Sequence, residues 1–383
     1  MAEGYIHYEI TRSQASMREG EPNGDVMGKL RTQQGTTIVL ADGIGHGVKA
    51  HIAAQFTVSR ALGLVEGGTG FRAAFESVVR TMEAAKGTDM PYAVITMVRI
   101  LPDGFATILS YEMPPPILMM RKFSQVLPQR RAPGHESAAL ESSCHLSVDE
   151  SLLLVTDGIT QSGMGRGIRG GWTSERLLDY VIGLQESGTE WNGYSALVLN
   201  KALSNWGPAP GDDCSAITVT ARRGKSVTVL TGPPSDRRMD RRVLQRFIAS
   251  DGLKVVSGGS TAKMVAAYLG KDLRAVKGQG SLYSPPRYFI DGIDLVTEGA
   301  LTLNQVCNVI DEQPEQLEEG SVAMLHRILL DCDKVTFLVG EAVNPANAGI
   351  AFRQQGIMAR KVIIPVLCDR LRVKGKLVVE EHI

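Results

Sequence analysis

Two apolar runs in this sequence stop at the same dipeptide. "VLADG" ends on Asp42-Gly43 and "SLLLVTDG" on Asp157-Gly158. In "GDDCSAITVTA" the order is reversed, with Asp212 and Asp213 leading into the apolar stretch. A fourth acid, Asp25 in "EPNGDVMG", opens an early β-like segment. A single Asp-Gly pair is an ordinary turn. Its recurrence at the ends of apolar strands is a stronger constraint: a fold that gathers these ends brings several carboxylates into a region of low dielectric. There they repel unless protons or cations neutralise them. Oxygen ligands without a Cys or His pattern suit hard ions, Mg²⁺ or Mn²⁺. Glycine after the acid lets the backbone come close, so the Gly43 carbonyl can itself be a ligand. The glycines of "VLADGIGHGVKA" also admit a second reading, a cradle for phosphate.

The chain has 383 residues, comfortable for two domains. Its 41 basic and 41 acidic residues cancel, which argues against a protein that coats nucleic acid. No apolar run reaches the length of a membrane span, and "MAEGYIHYEI" lacks the apolar segment of a secretory signal. Cys144, Cys214, Cys307, Cys332 and Cys368 are scattered and odd in number. They read as reduced thiols of a cytoplasmic protein rather than a disulfide framework or zinc site.

Up to about residue 222 the pattern is of β-like runs joined by tight turns. "YAVITMVRIL" and "FATILSY" flank Pro102-Asp103-Gly104, a hairpin signal, so these strands are expected to be antiparallel. Helices are expected over 46–62, with Val48, Ile52 and Phe56 on one stripe, and over 71–85, 174–184 and 193–204. Hairpins with separate helices indicate an α+β layering. From about residue 225 the texture changes. "SVTVL", "LKVVS", "VTFLVG" and "KVIIPVL" read as short strands alternating with helices at 236–249 and 261–269. That pattern indicates a separate α/β domain, 225–383, with a largely parallel sheet. The basic segment "ARRGKS" (221–226) is the expected linker.

Taken in order, Asn23-Gly24-Asp25, "VLADGIGHG", "LLLVTDGI" and "GDDCSAITV" resemble the metal-dependent PPM (protein phosphatase 2C-like) serine/threonine phosphatases, in particular their bacterial SpoIIE branch. "MPPPILMMR" (113–121) is similar to that branch's Pro-Pro-x-Leu strand, although "YEMPPP" lacks the Gly usual before its prolines. The resemblance covers roughly residues 1–222 and implies an αββα sandwich of antiparallel sheets with a two-metal cleft at one edge. It further implies that Asp42 bridges two Mn²⁺ or Mg²⁺ ions and that the Gly43 carbonyl binds one of them. Asp157 and Asp212 hold the other, and Asp25 lies in or near the ligand set. The family pattern selects Asp212 over Asp213. The implied activity is hydrolysis of phosphoserine or phosphothreonine by a metal-bridging hydroxide, without a covalent phosphoenzyme. The implied partner is a phosphorylated regulatory protein such as an anti-sigma-factor antagonist. The alternative is a catalytically silent, phosphatase-like sensor that only binds a partner.

Other features carry less. His46 is a candidate metal ligand or general acid beside Asp42, though the family does not regularly use this position as a ligand, and His51 is expected to face solvent or packing. Arg166 and Arg169 of the glycine-rich "SGMGRGIRGG" are within reach of a substrate phosphate in principle, on what reads as a surface loop. Trp172 and Trp206 read as packing residues. No Cys-x5-Arg loop or Walker P-loop is present. The Asp-x-Gly-x-Gly box of histidine-kinase-type ATPases fails because Ile44 stands two residues after Asp42. The acid at position 42 therefore reads as a metal ligand rather than part of a phosphate cradle.

In the second half, "LKVVSGGSTAKMVAAYLG" (253–270) reads as a strand, a Gly258-Gly259-Ser260-Thr261 turn and a helix. The unpaired N–H groups of such a junction welcome an anion. "VTVLTGPPSD" and "VTFLVGEAVNP" end in small residues at the same edge of the expected sheet. A small anionic ligand or a partner's phosphate is the expected occupant, against the plainer alternative that Ser260 or Thr261 caps the helix.

Overall fold

The computed structural model describes residues 4–88, 90–131, 139–275, 287–342 and 357–383. The chain divides into two compact units, Ile6–Arg223 and Gly224–Ile383, with Met1–Tyr5 grouped with the second. Residues 343–345 of "VTFLVGEAVNP" lie outside the described residues.

The first unit holds two antiparallel sheets. In one, β1 (Ile6–Ala15) is at the edge. It is followed by β11 (Cys214–Arg223), β10 (Ser151–Val155), β6 (Ile117–Met120) and β7 (Phe123–Val126). The other runs β2 (Asp25–Thr32), β3 (Gly35–Gly43), β4 (Ala93–Ile100), β5 (Phe105–Tyr111), β9 (Leu140–His145) and β8 (Arg130–Arg131). The expected hairpin joins β4 and β5.

Strand periodicity builds the layers. In β10, Leu152 and Leu154 enter the core between the sheets. Leu153 and Val155 enter a second core under α4 (Thr173–Glu186) and α5 (Tyr194–Trp206). In β11, Ile217 and Val219 take the first side, Cys214 and Ala216 the second. β3 is buried on both faces, Ile38 to Ala41 without a break, because α1 (Gly47–Glu66) covers its outer side, while α2 (Phe71–Gly87) lies over β4 and β5. The order is α-β-β-α.

α1 forms where expected, but its apolar stripe faces outward. Val48, Ile52 and Phe56 are exposed, while Ala50, Ala53, Ala54, Val58 and Ala61 are buried. The reason is closeness. A Cβ on Gly43 would lie 2.0 Å from the Ala50 carbonyl oxygen, and one on Gly28 would lie 2.5 Å from Val58. Beside Gly43 only a small residue such as Ala50 fits under a helix held that near the sheet, and beside Gly28 the missing side chain makes room for Val58.

In the second unit five parallel strands run in the order β16 (Leu295–Thr297), β13 (Leu253–Ser257), β12 (Ser226–Thr231), β17 (Lys334–Val339), β18 (Leu377–His382). β15 (Arg287–Phe289) and β14 (Arg274–Ala275) add an antiparallel edge beside β16. The helices are α6 (Asp240–Ala249), α7 (Gly259–Leu269), α8 (Ala300–Val309), α9 (Ser321–Asp331) and α10 (Arg360–Val373). One expectation fails here: "KVIIPVL" lies inside α10, not in a strand. Its β-branched run masked a helical spacing, with Ile363, Ile364, Leu367, Cys368 and Leu371 buried, and Pro365 falls inside the helix. The linker is also shorter than expected. Arg222 belongs to β11 and bonds Glu9, and only Gly224 and Lys225 separate β11 from β12.

Candidate active site

Antiparallel pairing brings the acids of the first unit together. β2 begins where β3 ends, and the register sets Asp25 opposite Asp42. In the other sheet β10 ends where β11 begins, with Val155 paired to Ala216. Asp157, at the start of the short helix α3 (Asp157–Thr160), and Asp212 therefore flank one end of that sheet. The glycines permit it. A Cβ on Gly158 would sit 2.0 Å from the Asp213 carbonyl oxygen, so only glycine lets the two strand ends meet.

Asp25 and Asp42 are 3% and 8% exposed. Burial, then the charges of Asp25, Asp157 and Asp212 and a hydrogen-bond contact with Asp157, push the Asp42 carboxyl well above the usual range. Burial pushes Asp25 up to about 7, against hydrogen bonds from Ser215 and Thr156 and with the help of the Asp213 and Asp157 charges. Asp212 rises to about 6 through burial and then the charge of Asp157, while the Asp213 N–H and His46 pull it back. The site stores repulsion between carboxylates, and divalent cations are the natural counter-charge.

Thr156 and Gln161, which the sequence did not single out, fix these acids. Thr156, fully buried, donates from Oγ1 to Asp25 Oδ2 at 2.8 Å and accepts from Ser215 N–H at 3.0 Å. Gln161 donates to Asp157 Oδ2 at 2.7 Å. His51, half-buried, meets the Asn23 carbonyl through Nδ1 at 2.8 Å, tying α1 to the Asn-Gly-Asp turn. The only signals for these roles were proximity to an Asp-Gly pair and hydrogen-bonding chemistry, which many residues share.

Asp212 and Asp213 part company. Asp213 is buried, and its two oxygens accept the N–H groups of Met17 and Gly24 at 2.7 and 2.8 Å. Asp212 is half-buried and, among the described residues, accepts only the Asp213 N–H through Oδ1, at 2.8 Å. His46 lies 3.5 Å from Glu21. Arg166 and Arg169 are both exposed, and the Arg166 guanidinium bonds the Trp206 carbonyl and lies against its ring. Trp206 packs as expected and also donates to the Gly158 carbonyl at 2.9 Å. Trp172 packs in the same core.

The donor set fits hard ions. Asp25 Oδ1 is buried with no hydrogen-bond partner among the described residues, an acceptor left for a cation or a proton. Among the described residues no group of three or more His, Cys, Asp or Glu is placed to hold an ion unaided. Mg²⁺ commonly takes only one or two carboxylates and keeps several waters. Gly258, Gly259, Ser260 and Thr261 lie in the other unit and line a separate cavity.

The family model for Stage II sporulation protein E (SpoIIE) matches residues 32–222, a segment that holds Asp42, Asp157 and Asp212 but not Asp25. Among solved structures, this chain is similar to the phosphatase domain with a regulatory-domain fragment of SpoIIE from Bacillus subtilis. Identity is 16% and TM-score 0.49, covering 58% of this chain and 65% of that one. It is also similar to the RsbU and RsbW domains of a Mycobacterium tuberculosis protein, at 16% identity and TM-score 0.49, covering 70% and 71%. A third is the SiaA PP2C domain of Pseudomonas aeruginosa, at 16% identity and TM-score 0.45, covering 55% and 85%. No curated protein matches. Among the described residues no helix is long and apolar enough to cross a membrane.

Proposed function

Residues 32–222 are a SpoIIE-family domain, and from this we propose that the chain is a metal-dependent phosphoserine/phosphothreonine protein phosphatase. The observation that carries the reading is the convergence of Asp25, Asp42, Asp157 and Asp212, whose charges act on one another. Asp42, placed opposite Asp25 and in contact with Asp157, is the residue suited to serve two ions. The Gly43 carbonyl, Asp157 and Asp212 would complete the set, with Asp25 in or beside it. Two Mn²⁺ or Mg²⁺ ions, when bound, supply Lewis-acid charge that activates water and neutralises phosphoryl oxygens. The chain's part is to orient the carboxylates: Thr156 fixes Asp25, Gln161 fixes Asp157, and Asp213 holds the Gly24 turn. With Asp213 bonded through both oxygens, Asp212 is the better ligand of the neighbouring pair.

The proposed substrate is a phosphorylated regulatory protein, such as an anti-sigma-factor antagonist, a reading that the family resemblance supports. Location in the cytoplasm agrees with the five unpaired cysteines. A second reading, a silent phosphatase-like sensor, draws on the lack of a ready three-ligand group among the described residues. Phosphate release from phosphoserine and phosphothreonine proteins, in Mn²⁺ with and without chelator, separates the two. Turnover that the chelator abolishes is expected, and no turnover with any such substrate favours the sensor.

A further inference from the structure

The second unit contains a cavity of about 1170 Å³ at the carboxyl ends of its parallel strands. β12, the first of these strands along the chain, is central in the strand order, with β13 and β16 to one side of it and β17 and β18 to the other. The winding reverses at β12, and open sheets of this kind bind ligands in the crevice at such a reversal. Thr231 ends β12 there.

Two helix N-termini meet at this cavity. α7 starts directly after β13, through Gly258 with φ +121°, a conformation that favours glycine. α8 starts after β16 through Gly299, and a Cβ on Gly299 would lie 3.4 Å from the Gly258 Cα. The two turns are thus in contact, and α7 has 11 residues and α8 has 10. Neither helix has a side-chain cap. Thr261 is not free to cap α7, because its Oγ1 accepts the Gly232 N–H at 2.9 Å. The plainer reading of the Gly-Gly-Ser-Thr turn, a capped helix, therefore does not apply.

Independent features point to a ligand. Thr231 is fully buried, lines the cavity, and its Oγ1 has no hydrogen-bond partner among the described residues. Arg360 lines it as well, lying against Gly232 so closely that a Cβ there would be 1.9 Å from the guanidinium. Its Nε is buried and also without a partner among the described residues. Arg237 and Arg241 stand at the same wall, and none of the three arginines forms an ion pair among the described residues. Asp240 and Glu298 temper this charge without reversing it. The remaining wall includes Leu244, Met264 and Tyr268. That is a phosphate end and an apolar end, in a volume too large for an inorganic ion alone.

We propose that this cavity binds a nucleotide, its phosphates on the N-termini of α7 and α8 near Arg360 and its base along the Met264–Tyr268 side. The site is independent of the phosphatase reading. The test uses the full chain with EDTA present, so that metal-dependent hydrolysis does not consume the probe. Binding of ADP, GDP, CDP and UDP is measured by calorimetry and thermal shift, beside adenosine, inorganic phosphate and a phosphoserine peptide. At least one nucleoside diphosphate is expected to bind, and to bind about tenfold or more tighter than its nucleoside or phosphate. A Cβ at position 259 meets nothing within 4 Å among the described residues, so G259D is expected to fold, and its carboxylate suits the start of a helix. The variant is expected to keep its melting temperature and to lose nucleotide binding. Three results would overturn the proposal: no nucleoside phosphate binds, G259D binds as the parent does, or inorganic phosphate or the phosphopeptide alone accounts for all binding.

Discussion

Replacing Asp213 and Asp212 by asparagine, one at a time, should produce opposite effects on the metal-free protein. Asp213 is 4% exposed and accepts two backbone N–H groups, from Met17 and Gly24. Asparagine keeps one acceptor and turns an NH₂ toward the other N–H. One charge-assisted hydrogen bond, about 1.5–3 kcal/mol, is lost, and a buried donor is left unsatisfied at about 1–3 kcal/mol. Relief of repulsion with Asp25 offsets part of this. A net loss of about 2–4 kcal/mol follows, and at about 2–4 °C per kcal/mol the melting temperature drops by about 4–16 °C. Asp212→Asn keeps its one acceptor, Oδ1, and removes repulsion with Asp157. Its melting temperature should stay level or rise, while metal-dependent turnover collapses. Thermal unfolding of both variants in chelator, with phosphate release in Mn²⁺, reads all of these effects. If Asp212→Asn destabilises as much as Asp213→Asn, or if Asp213→Asn melts like the parent, the division into ligand and scaffold is wrong.

Asp25, Asp42 and Asp212 hold protons more tightly folded than unfolded, so without metal their contribution to stability is fully present below the ordinary Asp value of 3.8 and is lost as pH rises toward about 7. Melting curves in chelator from pH 5 to 8 should fall, and Mn²⁺ should restore more at pH 8 than at pH 5; a rise with pH would contradict the assigned repulsion. Gly43→Ala should lower both activity and melting temperature, since its Cβ would lie 2.0 Å from the Ala50 carbonyl oxygen; a variant with parental values in both assays would mean that α1 has room to move. On α1, Ile52→Ser should change stability by less than about 0.5 kcal/mol, whereas Ala54→Leu, aimed at the sheet, should cost about 1–3 kcal/mol. Urea unfolding of both checks which face is buried.

Much of this could be read from the chain because the acids sit at strand ends. An apolar run that stops at Asp-Gly states both where a strand ends and which acid is placed there, and antiparallel pairing does the rest. The Pro102-Asp103-Gly104 turn similarly fixed β4 against β5. What failed depended on distance between elements, which the sequence does not encode locally. The stripe of Val48, Ile52 and Phe56 has helical spacing, yet Gly28 and Gly43 draw α1 so near the sheet that its alanines face inward. "KVIIPVL" satisfies β propensity and helical spacing at once, and packing around Leu367 and Leu371 decided for the helix. Asp212 and Asp213 are equivalent as letters. They differ only because the N–H groups of Met17 and Gly24, roughly two hundred residues away in sequence, converge on Asp213.

The claim on which the rest depends is that these carboxylates hold divalent ions. Calorimetric titration of the chelator-treated chain with Mn²⁺ at pH 7 tests it without any substrate. Repeating it in buffers of different ionisation enthalpy counts the protons displaced. Two ions are expected to bind with release of protons, as befits acids whose pKa values lie near 6 and 7. Asp42→Asn should lose both ions together. A parent chain that takes up no Mn²⁺, or an Asp42→Asn variant that binds as the parent does, would contradict the account.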